Sequence, residues 1–406
     1  MRKTIATWVG AAGLTLTLAA GAAGQTLKIT YPGWDSKEQE REVTAIFAAY
    51  EKQNPGVKIE LISTPFPVMK QKLVVSLRSG DAPDLGYLDG RWLPELQAAG
   101  FLADVTAQAN ALDRKDWYPA AWEPATIDGK VYGIPDRVDP WMVYYNTDLF
   151  KAAGVDRFPE TTDELVAAGK KITGNGVHAW GLIGTNDATF IGRYLNILYA
   201  FHGNLLSPDG KKAVVNDANG VAALAFYTDL LIKHGIAQPS AVGNNHNDVR
   251  QLFMTKQVAM IIDGPWARGT LREMAPTVNW SVGRIPAAPG KEPRFTMTSW
   301  HYTTFAAGKN QAAVAKLVAY LVQPENQARS VVTLPARQSA AALPRFQTDE
   351  YKPWVAALPA GRAFPITDRF SEIADIVGKS VQEVLAKRKD AKAAADEAAA
   401  RIDKLL

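Results

Sequence analysis

Residues 26–36 read Thr26-Leu27-Lys28-Ile29-Thr30-Tyr31-Pro32-Gly33-Trp34-Asp35-Ser36, and this stretch with the run after it decides the fold. Leu27 and Ile29 alternate with polar neighbours as a strand does, and Pro32 and Gly33 break it. Ser36 with Gln39 three residues on has the form of a capping box. Val43, Ile46, Phe47 and Tyr50 then recur at i, i+3, i+4 and i+7, which lays one apolar helix face against a sheet. Asn54, Pro55 and Gly56 stop that helix. Val57, Ile59 and Leu61 alternate as a second strand, Val68 to Ser79 read as a second helix ended by Gly80, and Leu85 to Leu88 read as a third strand. Strands alternating with helices in this order predict an α/β fold. In open α/β sheets ligands sit beyond the carboxyl ends of the strands. Trp34 and Asp35 after the first strand, and Asp89 to Trp92 after the third, are therefore placed where a ligand would be.

Upstream, Arg2 and Lys3 form a positive region, Thr4 to Ala23 carry no charge, and the small residues Ala20 to Gly24 precede Gln25. That pattern predicts a cleavable secretory signal over residues 1–24. A retained membrane anchor is the alternative, since the uncharged run is long enough to span, although it is rich in Ala and Gly. The whole chain has 406 residues, room for two or three domains at roughly 100 to 200 residues each. Hydrophobic residues at 47% and charged residues at 21% exclude a disordered chain and a multi-span membrane protein. The formal charge of +4 falls to +2 without Arg2 and Lys3, so no nucleic-acid partner is expected. With no cysteine there is no disulfide, thiolate metal site, Cys nucleophile or lipid anchored on Cys.

Downstream, Gly133-Ile134-Pro135 leads into a β-rich run, Trp141 to Tyr145. Thr161 and Glu164 form another capping box. Asn279 to Ile285 and Arg294 to Thr304 read as strands, and Val314, Leu317, Val318 and Leu321 form a helix face that Pro324 ends. The segment from Ser371 to Leu406 is amphipathic. Its short apolar stripe and flanking charges of mixed sign predict a helix pair packed on the body of the protein, rather than a coiled coil or a membrane-surface helix.

Six short motifs occur in order along the chain: Gln53-Asn54-Pro55-Gly56-Val57-Lys58-Ile59, Ser79-Gly80-Asp81-Ala82-Pro83-Asp84-Leu85, Gly100-Phe101-Leu102-Ala103-Asp104-Val105, Gly133-Ile134-Pro135, Tyr144-Tyr145-Asn146-Thr147-Asp148-Leu149-Phe150 and Asp263-Gly264-Pro265-Trp266. Behind a secretory signal, this series resembles the family 1 extracellular solute-binding proteins of bacterial ABC importers, the group that includes maltose-binding protein. The resemblance implies a two-lobed periplasmic-binding-protein fold of type II, each lobe a sheet flanked by helices, with a multi-strand hinge and the ligand between the lobes. It places lobe one at 25–138 plus 302–348 and lobe two at 139–301 plus 349–406, with the first crossover near Arg137 to Pro140. It also implies a periplasmic or cell-envelope location after export across the inner membrane. The expected partners are a small carbohydrate and the transmembrane permease subunits of an ABC transporter, with the protein itself a monomer.

A sugar presents apolar C–H faces and a rim of hydroxyls, so its pocket needs flat aromatics and forked polar groups. Trp34, Trp92, Trp141, Trp266 and Trp300 each stand beside Gly, Pro, Asp, Arg or His at a predicted strand end or loop, whereas Trp117, Trp122, Trp180, Trp280 and Trp354 lack a comparable cluster. The ligand-binding candidates are Trp34, Asp35, Asp89, Arg91, Asp136, Asp139, Trp141, Asp263, Trp266, Arg268, Trp300 and His301. By resemblance to the maltose-type members, Asp89, Arg91 and Asp139 contact the sugar and Trp266 is an aromatic platform. Relatives commonly carry a Gly-Gly pair where this chain has Thr298-Ser299-Trp300-His301. Either Trp300 and His301 fill the pocket and shrink the ligand, or the backbone differs there.

The five histidines show no metal-ligand spacing, and the chain has no GxSxG, P-loop or GxGxxG. No catalytic residue, metal or cofactor is expected, and the chain is read as a binding protein rather than an enzyme. A secreted glycoside hydrolase is the enzyme alternative, since it also needs aromatics and two carboxylates. Arg91, Arg137, Arg268 and Arg337 raise an anionic sugar or glycerol phosphate as ligand. Asp35, Asp89, Asp136 and Asp139 in the same segments argue for a neutral one of one to three sugar units.

Overall fold

The computed structural model describes residues 25–34, 36–187 and 189–406. The expected signal, 1–24, and the candidate Asp35 lie outside the described residues. The strands are β1 (Gln25–Pro32), β2 (Val57–Thr64), β3 (Leu85–Asp89), β4 (Thr126–Ile127), β5 (Lys130–Val131), β6 (Ile134–Pro140), β7 (Met142–Asn146), β8 (His178–Trp180), β9 (Val258–Asp263), β10 (Trp280–Gly283), β11 (Phe295–Thr304), β12 (Leu334–Pro335) and β13 (Gly361–Arg362). Two sheets organise them. One has the order β2-β1-β3-β11-β6-β12 with β13 on β11, the other the order β10-β7-β9-β8, and β4 and β5 pair as a separate hairpin.

Local rules account for the first units. Ser36 accepts the Gln39 N–H and starts the helix Lys37–Gln53, whose buried face is Val43, Ile46, Phe47 and Tyr50. Pro65 precedes the helix Phe66–Arg78, and Gly80, at φ +81°, supplies the left-handed turn behind it. β1 then pairs in parallel with both β2 and β3, and each parallel pair needs a crossover, which the two helices supply. Leu27, Ile29, Leu85 and Leu88 are fully buried beneath them.

The chain leaves the first sheet at Pro140 and enters the second at Met142, so Trp141 alone joins β6 to β7. β11 returns antiparallel to β3 and β6 and pairs with them from Met297 to Thr304. The lobe division expected at 301/302 therefore falls inside a single strand of the first sheet. At the end of the chain, the helices Phe370–Leu385 and Ala391–Asp403 pack on each other and on the helix Ala218–Ile232 beside the second sheet. Their buried stripe, Ile373, Val377, Val381, Val384, Ala395 and Ile402, is spent on that packing. No helix among the described residues is long and apolar enough to cross a membrane.

Candidate functional site

The carboxyl ends of β1, β3 and β9 and the β6–β7 junction converge on a cavity of about 210 Å³ between the two sheets. From the first-sheet side come Pro32, Gly33, Gln39, Phe66, Asp89, Arg91, Arg137, Thr298 and Trp300. From the second-sheet side come Trp141, Thr189, Arg193, His246, Arg250 and Trp266. Both walls are thus part aromatic and part polar.

Each aromatic is fixed by its neighbours. Trp141 donates through Nε1 to Thr298 Oγ1 at 3.3 Å and lies edge-on to Trp266, centroids 5.1 Å apart and planes at 78°. Gly192 and Gly264 let these rings settle: a Cβ at Gly192 would stand 2.5 Å from the Trp141 ring, and one at Gly264 would stand 2.0 Å from the Trp266 ring. Trp300 stacks on Tyr87 at 5.3 Å and carries the Arg137 guanidinium 4.8 Å above its ring.

The charges are ordered in pairs. Asp89 receives Arg91 through both oxygens, Nε to Oδ1 at 2.9 Å and Nη2 to Oδ2 at 2.6 Å, which holds the guanidinium against Phe364. Arg137 pairs with Asp139 at 3.1 Å. Asp263 Oδ1 accepts from Arg193 Nη2 at 3.1 Å, and its Oδ2 accepts from Arg250 Nε at 2.9 Å and Nη2 at 2.7 Å. Burial alone would raise the Asp263 carboxyl, but Arg250, His246 and Arg193 together hold it well below the usual range. Burial, with the nearby Arg193, pushes His246 down to about 4, so at neutral pH the ring is uncharged and accepts from Arg250 Nη2 at 2.5 Å. Arg193, which burial lowers to about 10, remains charged.

Of the candidates, Asp89, Arg91, Trp141, Trp266 and Trp300 line the cavity together. Trp34 stands next to the lining residues Pro32 and Gly33, with its ring tilted on Tyr31 at 5.0 Å. Asp139 and Asp263 are buried behind the wall, each occupied by arginine. Asp136 accepts from Tyr87 OH at 2.8 Å in the interior, and burial raises its carboxyl to about 7. Arg268 is a correction: its guanidinium lies over the Tyr351 ring at 3.9 Å, donates to Val332 O, and borders a different hollow of about 130 Å³ behind Trp266. His301 is a second. Successive residues of a strand face opposite sides, and a bulge separates Trp300 from His301. Trp300 thus meets the cavity, while His301 is fully buried against Gly90 and Gly133 with Nε2 on Ala121 O at 2.9 Å.

Sequence reasoning left out Arg193, His246 and Arg250. Arg193 carried a signal: it is the one charge in the otherwise apolar helix Phe190–Ala200. His246 and Arg250 open the helix His246–Met254, one turn apart, with no aromatic beside them in the chain.

Residues 34–328 match the family described as bacterial extracellular solute-binding protein. The chain belongs to that family. A putative binding protein of Brucella abortus (strain 2308) is 27% identical to it over 97% of each chain. A solute-binding protein of an ABC transporter from Thermotoga lettingae TMO, bound with alpha-D-tagatose, superposes with a TM-score of 0.85 at 26% identity, covering 94% of this chain and 99% of that one. Maltose-bound MalE3 of T. maritima gives a TM-score of 0.83 at 24% identity over 94% and 100%. The fold is therefore the α/β periplasmic-binding-protein fold, and the protein is an extracellular solute-binding protein, a class that binds its solute without turning it over.

Proposed function

We propose that the protein binds a small carbohydrate in the cavity between the two sheets and delivers it, by closing around it, to the membrane subunits of an ABC importer. The observation that carries this reading is the two-sided wall: Trp141 and Trp266 offer apolar faces from one lobe, and Arg91, Arg137 and Trp300 face them from the other. A ligand touching both sides favours the closed arrangement by its differential contacts, the hinge motion for which periplasmic binding proteins are a standard example. The relatives bound with tagatose and with maltose support a sugar ligand.

The cavity, at about 210 Å³, falls below the roughly 300 to 1,000 Å³ of pockets for drug-sized molecules, and suits one sugar ring. A groove of about 650 Å³ shares Phe66 and Arg91 with it and offers room for further units. Small-angle scattering with and without a sugar that binds in calorimetry tests the reading. A smaller radius of gyration with ligand is expected; an unchanged radius at saturation would reject closure as the mechanism.

A further inference from the structure

We propose that the ligand is an acid sugar, a monosaccharide carrying one carboxylate, and that Arg250 and Arg193 receive that carboxylate. The proposal rests on the carbohydrate reading above and narrows its ligand class.

Charge on the second-sheet wall carries it. Two guanidiniums, Arg193 and Arg250, share the single carboxylate of Asp263. All of Asp263 is engaged, because Oδ1 also accepts the Gly264 N–H at 3.0 Å. His246 adds no charge at neutral pH, since it accepts from Arg250. Among the described residues the other acid acting on Arg193 is Asp187, which is exposed and accepts from Thr185 and Thr189. Against these two guanidiniums, only 5% and 11% exposed, stands one buried carboxylate, so one positive charge lacks a buried counter-charge. A buried charge without a counter-charge is costly, and a ligand anion would supply one. Donors are also to spare: Arg250 Nη1 takes no part in the bonds to Asp263 and His246, and buried Arg193 Nε has no hydrogen-bond acceptor.

A single surplus charge matches a monoanion. A phosphate dianion would leave net negative charge beside Asp263 and Asp89. Trp141 and Trp266 line the same cavity as the two arginines, with Arg193 4.8 Å from the Trp141 ring, so a sugar ring stacked there brings a ring carboxylate toward them. The first-sheet carboxylates that would repel it are already spent, Asp89 on Arg91 and Asp139 on Arg137.

The test is a titration of the whole protein, followed by tryptophan fluorescence and calorimetry, with D-glucuronate, D-galacturonate, D-gluconate and N-acetylneuraminate, each beside a neutral counterpart, and with D-glucose 6-phosphate. At least one acid should bind roughly tenfold or more tighter than its neutral counterpart, and the gap should narrow with added salt. Arg250→Gln should close the gap to within about threefold, and Arg250→Lys should restore part of it. If Arg250→Gln fails to fold, the lysine variant and the salt series decide. A neutral sugar or the phosphate ester bound as tightly as every acid overturns the inference and leaves the carbohydrate reading standing. Binding of no sugar of either class overturns both.

Discussion

The indole of Trp141 stands at 78° to that of Trp266 with 5.1 Å between centroids, and each ring rests against a glycine, Gly192 for the first and Gly264 for the second. Trp141 joins β6 of the first sheet to β7 of the second, and Trp266 follows the last residue of β9 by three positions. The aromatic corner of the cavity is thus built at the joint between the lobes, where closure would bring the opposite wall onto it.

Gly264→Ala should move Trp266. An added Cβ would lie 2.0 to 2.4 Å from three of its ring carbons, so the ring must leave its seat. The expected result is a loss of sugar affinity of roughly tenfold or more with the fold retained, read by calorimetry. Gly192→Ala acts on Trp141 from within a buried helix, where overpacking costs about 1 to 3 kcal/mol, and should lower stability as well as affinity. Parent-like affinity in both variants would show that the rings do not need these seats.

Trp266→Ala and Trp354→Ala separate site from core. Trp266 is half-buried on the cavity wall, and its loss should cost more than about 2 kcal/mol of binding, roughly thirtyfold. Trp354 is 1% exposed and packs on Tyr144 at 5.6 Å, so its loss should cost about 3 to 5 kcal/mol of stability with affinity little changed. Asp139→Ala belongs with the second class. It breaks a buried pair with Arg137, and an effect on affinity alone, without loss of stability, would contradict that placement.

These contrasts mark what the chain reveals before it folds. β1, β2, β3 and the helices between them were legible because alternation, apolar spacing and the caps at Ser36 and Gly80 all agree locally. The aromatic members of the cavity were legible because Trp141, Trp266 and Trp300 stand at strand ends beside turn residues. Arg250 and His246 were not, since nothing in the local pattern of the helix His246–Met254 shows that its polar side turns back onto Asp263, 13 residues after Arg250 at the end of β9. For Asp139 and Asp263 the residue type pointed to hydroxyl recognition, but nearby arginines engage both before any ligand arrives. His301 was misplaced by one residue of strand alternation.

Stability should fall on acidification from pH 6.5 to 4. His246 and His301 both lie near 4 in the folded protein, mainly through burial, against an ordinary 6.5. In that window the unfolded chain takes up two protons that the folded one refuses, so their stabilisation is complete above 6.5 and is lost on the way down. His234, also lowered by burial, adds to the same side. Asp136 opposes them: raised to about 7, it is protonated when folded and ionised when unfolded, down to 3.8. The net of about one proton gives a slope of about 1.4 kcal/mol per pH unit near pH 5. Asp136→Asn, which keeps an acceptor for Tyr87, should double that slope in urea denaturation. A parent stability that is flat or rises toward pH 4.5 would refute these protonation states.

In the groove beside the cavity a small polar contact bridges the two sides. Lys70 reaches Glu95 at 2.5 Å and Ser371 Oγ at 2.7 Å, and Ser371 donates to Glu95 at 3.1 Å. Lys70 and Glu95 flank the first sheet, whereas Ser371 opens the helix Phe370–Leu385 packed beside the second. The ammonium is 22% exposed and its carboxylate 37%, so salt and water screen the pair, and it should contribute no more than about 1 kcal/mol to the closed form. Lys70→Ala should therefore weaken sugar binding by at most about fivefold, far less than Trp266→Ala. If the lobes close on the sugar as proposed, the contact forms after the sugar has entered, and the change should appear in the dissociation rate while association stays near the parent value. Raising the salt should shrink the difference between parent and variant. Stopped-flow fluorescence, reporting on Trp141 and Trp266, measures both rates. A variant that slows association and leaves dissociation alone would mean that Lys70 guides the sugar in rather than holding the lobes together.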